Sequence, residues 1–219
     1  MFNSLFCFPY YKVKILPNEY DKDSIVSTIL SNYSKQETRN KWNKRSNLHH
    51  EYNDRDSRIF EKIDYSSLFP VYRSKIEEFI SLLNLQNKNF SWSFDILNYT
   101  VTTKNQNMTA HHHIPSVFTA VHYVKFNPSE HQPTLFTNPS NYSSVMSMFY
   151  NQHMSIFDFN DGNNTWILNT NTIPTEEDDF IIVPSIIDHS IAPSSSKEKR
   201  ITIALNIDIS KKVKRLEYL

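Results

Sequence analysis

Glycine is almost missing from this chain: Gly162 is the only one in 219 residues. Turns that need a left-handed backbone must fall to Asn and Asp, which tolerate that conformation better than other residues carrying a Cβ. Cysteine is as scarce. The lone Cys7 cannot close an internal disulfide, which excludes the cross-linked secreted scaffolds and suits a reducing cytoplasm. Net charge is lacking too, with 23 basic side chains against 23 acidic ones, so no global field points toward nucleic acid or an anionic membrane. No apolar run is long enough to cross a bilayer. The apolar opening as far as Leu16 has no early positive charge and is broken by Pro9, which makes it a poor signal peptide and a better first strand.

What is present is apolar and aromatic material, 39% and 14% of the residues, enough for one sizeable core. Asp21–Tyr33 opens on capping-type aspartates and sets Ile25, Ile29 and Leu30 on one helical stripe, and Val71–Leu85 does the same with Ile76, Phe79, Ile80 and Leu83. Between them, 34–58 is polar and without periodicity, and reads as a long loop, a candidate lid, in which His49 and His50 are solvated. From residue 89 onward the texture changes to short β-rich runs between Asn, Pro, Ser and Thr clusters. The expected strands are Phe90–Val101, Val117–Phe126, Met154–Phe159, Thr165–Leu168, Asp179–Pro184 and Lys199–Ile209, with 128–144 as a loop near the mouth of the barrel.

The fold class this predicts is mainly β with flanking helices, a double-sheet jelly roll. A single domain is expected, made of an N-terminal strand, helices and lid over 1–88, a catalytic core over 89–210 and a short basic tail over 211–219, a solvated terminus rather than a nucleic-acid handle. In the last strand Arg200, Thr202, Ala204 and Asn206 alternate with Ile201, Ile203, Leu205 and Ile207. One face is polar and the other apolar.

Chemistry concentrates in Ala110-His111-His112-His113-Ile114-Pro115. Side chains alternate across an extended segment, so His111 and His113 share a face while His112 points away. A third ligand follows an apolar strand and a proline turn at His189, and Arg200 then opens the next strand. Iron(II) enzymes that activate oxygen hold the metal on one face of its octahedron and leave the other positions for co-substrate and oxygen. A dicarboxylate co-substrate needs a fixed cation deeper in the barrel. Arginine grips a carboxylate through paired hydrogen bonds, and Thr202, two residues on, adds a hydroxyl from the same strand face. Asn98, Tyr99 and Tyr123 are further candidates for the lining. His122, His131 and His153 have no partner spacing that makes them ligands.

These segments resemble the 2-oxoglutarate/iron(II)-dependent oxygenase family of bacteria and marine phages, related more distantly to prolyl 4-hydroxylases. The resemblance runs from Trp92 to Asp208: a Trp-containing strand, His111-His112-His113-Ile114-Pro115-Ser116, a strand with Tyr123, the turn Pro184-Ser185, His189, Arg200 and Asn206. It implies a double-stranded β-helix that uses Fe(II) and 2-oxoglutarate, with His111, His113 and His189 at the metal, Arg200 and Thr202 on the co-substrate, and Tyr99 and Tyr123 beside it. Decarboxylation of 2-oxoglutarate to succinate would drive oxidation of a C–H bond in a small-molecule or peptide substrate. The chain departs from the wider superfamily at His113, where Asp or Glu is usual. Asp188 is a candidate replacement, or the group that orients a histidine. Two other readings stay open: a cupin-like metal enzyme that does not use 2-oxoglutarate, and a structural module without activity. Only the first reading requires Arg200 as an anchor.

Overall fold

The computed structural model describes residues 8–39, 44–53, 59–83, 85, 90–139 and 168–211. The strand expected over Met154–Phe159, all but the last residue of Thr165–Leu168, the tail beyond 211, and Cys7, His153 and Gly162 lie outside them.

Two antiparallel sheets face each other as a jelly roll. The larger runs β1 (Tyr11–Lys14), β8 (Asp179–Pro184), β5 (Phe118–Lys125), β10 (Arg200–Lys211), β3 (Phe90–Thr102), β2 (His49–Tyr52); the smaller runs β4 (Met108–His111), β9 (His189–Ile191), β6 (Thr134–Thr137), β7 (Thr170–Thr172). Helices α1 (Lys22–Lys35) and α2 (Leu68–Leu82) pack on the outer face of the larger sheet. Asp21 caps α1 by accepting the Ser24 N–H at 3.3 Å, and Ile25 and Ile29 on its inner stripe are buried. Neither helix is long and apolar enough to cross a membrane.

β10 sets the geometry of everything else. Its apolar residues Ile201, Ile203, Leu205 and Ile207 are each 0% exposed and meet Ile29, Tyr72, Ile76 and Phe79 of the two helices in one cluster. Burying a side chain of this kind contributes about 1.5–3 kcal/mol, which fixes which face of the strand points to the helices. The polar set is thereby turned toward the small sheet. The register with β3, Arg200 opposite Thr102 and Thr202 opposite Thr100, carries the same polar face across; a bulge after Ala204 lets Asn98 and Ile96 follow one another in the pairing. Two turns use left-handed residues where glycine is unavailable, Asn105 at φ 61° and Asp178 at φ 67°.

The expected loop over 34–58 is a correction. It contains β2, which extends the larger sheet at Tyr52↔Asn98 and His49↔Val101. His49 and His50 are 0% and 5% exposed rather than solvated. The segment's polarity is misleading because its polar groups satisfy one another. Glu51 pairs with Arg39, whose Nη2 lies 3.2 Å from its Oε1, and His49 donates from Nδ1 to the Gln36 carbonyl at 2.7 Å while stacking on Tyr99. The loop expected over 128–144 also contains a strand, β6, held between β9 and β7.

Candidate metal centre

His111 ends β4 and His189 opens β9, and the two strands pair with these residues directly opposite. His113, two residues beyond β4, shares the face of His111 as alternation requires, and its N–H is tied to the Ser185 carbonyl at 3.0 Å. The ring centroids of His111 and His189 are 4.3 Å apart, those of His113 and His189 5.1 Å, and one nitrogen from each of the three rings falls within 4.8 Å of the others. His112 points the other way, to the surface, where its Nδ1 meets Asp188 at 2.9 Å. Asp188 therefore orients a histidine, but none of the three.

The hydrogen bonds around the rings decide their tautomers. Nδ1 of His111 lies 3.1 Å from the Thr109 carbonyl, Nδ1 of His189 lies 3.2 Å from the Ile187 carbonyl, and Nδ1 of His113 lies 3.1 Å from Oδ1 of Asn206. Each oxygen can only accept, so each Nδ1 carries the proton and each Nε2 keeps a lone pair. Burial pushes the His111 pKa down to about 4, lowers that of His113, and with the neighbouring imidazoles holds His189 well below the usual histidine range. Three neutral imidazoles, each with the lone pair on Nε2, are the form that binds a divalent metal.

The three rings line a cleft of about 230 Å3 between the sheets, and Arg200, Thr202, Thr134 and Thr100 line it as well. Arg200 is 2% exposed, its guanidinium over the faces of Tyr123 (5.1 Å) and Phe126 (5.8 Å). Nη2 donates to the Thr134 hydroxyl at 2.9 Å, while Nε and Nη1 are buried without a hydrogen-bond partner among the described residues. Burial lowers the Arg200 pKa from a value so high that the group stays cationic. A buried cation with unsatisfied donors is suited to holding an anion.

Thr134 is the residue that sequence reasoning missed. Its oxygen accepts from both Arg200 and the Tyr123 hydroxyl, the latter at 2.7 Å, so its own hydrogen is directed to a third partner and its side chain lines the cleft. Tyr123 thus acts on the site through Thr134 and Arg200. The Thr202 hydroxyl lies in the cleft 2.7 Å from that of Thr100. Tyr99 is placed elsewhere: it belongs to the core under the helices, 3.3 Å from Nε2 of His49, because it shares the outward face of β3 with Val101. His50 and Tyr52 form the cleft wall on the β2 side, their rings 4.6 Å apart.

Comparison with known proteins adds the following. Residues 98–206 match the model of a family described as "Putative 2OG-Fe(II) oxygenase". No curated protein sequence matches the chain. Among solved structures, similarity extends to an oxidoreductase of the 2OG-Fe(II) oxygenase family from Burkholderia pseudomallei (8% identity, 90% of this chain and 85% of that one, TM-score 0.52). It extends also to a prolyl hydroxylase from Trichoplax adhaerens in complex with a peptide fragment of the hypoxia inducible factor oxygen degradation domain (12% identity, 91% and 83%, TM-score 0.50). A third is the non-haem alpha-ketoglutarate-dependent epimerase SnoN of nogalamycin biosynthesis (13% identity, 95% and 80%, TM-score 0.51). At these identities the likeness is one of fold.

Proposed function

This chain belongs to the 2OG-Fe(II) oxygenase family and is a 2-oxoglutarate-dependent oxidoreductase that uses Fe(II), and we propose that His111, His113 and His189 hold its iron while Arg200 anchors its co-substrate. When bound, the metal and 2-oxoglutarate supply the oxygen activation. The protein's own groups hold and orient them. Three Nε2 atoms, presented by rings locked through Nδ1, make one face of the coordination sphere and leave the side toward the cleft for ligands. Arg200 offers its unpaired donors to the distal carboxylate, and the Thr134 hydroxyl hydrogen adds a further donor to the same anion. Thr202 contributes a hydroxyl beside them; Tyr123 supports Arg200 and Thr134 from behind; Tyr99 is not part of this set.

The observation that carries this reading is the pairing, across one cleft, of three neutral imidazoles and a buried arginine whose donors lack partners. A cupin-like metal enzyme without 2-oxoglutarate has no use for that arginine. We assign hydroxylation of a C–H bond on a small molecule or a peptide, the latter supported by the peptide carried by the Trichoplax hydroxylase of similar fold. In this reading 89–210 forms the catalytic core, 1–88 its support and cleft wall, and 211–219 a tail. A cytoplasmic setting, in a host cell if the gene is phage-borne, goes with it, since ferrous iron and a free thiol persist in a reducing compartment. Neither nucleic acid nor membrane enters as a partner.

The test is anaerobic. Fe(II) followed by 2-oxoglutarate should produce the weak visible charge-transfer band of the chelate, absent with either alone. No band at saturating concentrations would remove the reading.

A further inference from the structure

Arg200 and the three imidazoles use only part of the cleft. β10 runs along its floor, and a strand advances about 3.3 Å per residue, so Asn206 begins about 20 Å from Arg200, at the end where His113 lies. Between them Ala204 presents only a methyl group. Asn98 of β3 is opposite Ala204, and Tyr52 of β2 is opposite Asn98, which makes one row across the sheet. Asn98 is 5% exposed and lines the cleft, yet no described residue hydrogen-bonds with its carboxamide. Asn206 turns its Oδ1 to the His113 ring at 3.1 Å, and no described residue accepts from its Nδ2. A ligand that displaces water from such groups must supply hydrogen bonds in its place. Arg200 is the only Lys, Arg, Asp or Glu among the described residues that line the cleft, and it is given to the co-substrate. An ammonium group brought to the metal end would lose its water with no acid in the wall to replace it, and a second carboxylate would compete with the co-substrate for the metal. The group read there is neutral and polar.

Size and surroundings narrow the ligand further. The cleft's 230 Å3 must also hold the co-substrate, whereas pockets that engulf a whole drug-sized ligand measure about 300–1,000 Å3, so one side chain of the substrate enters and the rest stays outside. Outside is an apolar lip. Ile114, Val117 and Ile186 are 56%, 43% and 56% exposed, and the chain around them is tied together: the His113 N–H donates to the Ser185 carbonyl at 3.0 Å and the Ser185 N–H to the Val117 carbonyl at 3.1 Å. Ile114 and Pro115 line the cleft as well, so the lip is continuous with the metal site. We propose that Asn98 and Asn206 are specificity residues for a polypeptide substrate: one side chain passes over Ala204 toward the metal, the two carboxamides read the peptide groups flanking it, and the lip takes an apolar neighbour. An extended peptide presents a carbonyl and an N–H at every residue. Asn206 offers donors, its oxygen being turned to His113, and takes a carbonyl; Asn98 has an oxygen for an N–H and an amide for a second carbonyl. A sugar would match the carboxamides but not the lip.

This assignment rests on His111, His113 and His189 being the metal centre and Arg200 the co-substrate anchor. The test uses the full chain loaded with paramagnetic Mn(II) and saturated with 2-oxoglutarate, and reads by NMR how strongly the metal relaxes the protons of a small probe. N-acetyl-leucine N-methylamide, which carries two peptide groups and an apolar side chain, should be relaxed; free leucine and methyl glucoside should not. Asn98→Leu should weaken binding of the probe by about threefold to tenfold, the loss expected for a neutral hydrogen bond. Asn206→Asp keeps an oxygen for His113 and removes the amide donors, so Mn(II) should be retained while the relaxation falls. Ile186→Ser should weaken the leucine probe and leave N-acetyl-alanine N-methylamide unchanged. Relaxation of free leucine or methyl glucoside equal to that of the blocked leucine, or an Asn98→Leu variant that binds the probe as before, would overturn the proposal. Calorimetric titration of the same sample separates the two readings: failure to bind 2-oxoglutarate removes the anchor assignment, whereas 2-oxoglutarate bound with no blocked amide relaxed removes the peptide subsite alone. If the variants fold poorly, a crystal of the unaltered protein with Mn(II), 2-oxoglutarate and the blocked leucine decides the matter: a probe amide hydrogen-bonded to Asn98 is expected, and a probe bound without touching Asn98 would refute the assignment.

Discussion

The imidazoles that face the cleft differ from the one that does not by a single step in an extended chain. His111 and His113 turn inward, and His112 turns out to Asp188. His111→Ala or His189→Ala should abolish stoichiometric Mn(II) or Fe(II) binding, whereas His112→Ala should keep affinity within a few-fold; equilibrium dialysis separates the cases, and equal losses at all three would break the alternation. Arg200→Ala should weaken 2-oxoglutarate binding by about tenfold or more, since a hydrogen bond to a charged group contributes about 1.5–3 kcal/mol, with metal affinity unchanged. Thr134→Val should cost less, a few-fold, because it removes one hydroxyl and leaves the guanidinium. Titration of the metal-loaded variants gives both numbers. His111, His113, His189 and Arg200 stood out as candidates because a His-x-His pair, a histidine after a proline turn and an arginine heading an alternating strand are each chemically distinctive. Thr134 did not: only the pairing of β6 with β9, more than fifty residues later, brings it beside Arg200.

At the scale of elements, the strand that was plainest in the sequence governs the rest. The alternation from Arg200 to Ile207 gives β10 its two faces, and Asp179–Pro184 has the same limits in sequence and structure. β2 shows why other elements were hidden. Four residues, His49–Tyr52, carry no apolar alternation, and their burial depends on Arg39, Gln36 and Tyr99, partners that no local pattern reveals. Short strands of the smaller sheet such as β7 and β9 are three residues each, below the length at which periodicity says anything. Because Ile203 is wholly buried where β10 meets the helices, Ile203→Ala should destabilise the fold by about 2–5 kcal/mol in urea denaturation. An effect near zero would mean that the helix-facing side of β10 is not packed as described.

For the molecule as a whole, the buried histidines tie stability to pH. His122 is wholly buried, its Nδ1 2.9 Å from the Tyr72 hydroxyl, and burial and then Lys22 push its pKa down to about 3. In the unfolded chain a histidine titrates near 6.5. The folded value is the lower one, so between about pH 6.5 and 3 the unfolded state binds a proton that the folded state does not, and stability falls as the pH falls through that window. His111, His113 and His189 shift in the same direction and add to the slope in the metal-free protein, each by up to about 1.4 kcal/mol per pH unit. Urea midpoints of apoprotein between pH 7 and pH 5 should fall steeply, and His122→Phe should make the dependence shallower; an unchanged slope would place the titration elsewhere. The two sheets meet at the proposed metal site, with His111 and His189 on strands of the smaller one and Arg200 on the larger. The most direct test of that centre is X-ray absorption on the Fe(II)-loaded protein with 2-oxoglutarate, which counts imidazoles. Three are predicted, and two together with a carboxylate from Asp188 or any other side chain would contradict a centre built on His111, His113 and His189.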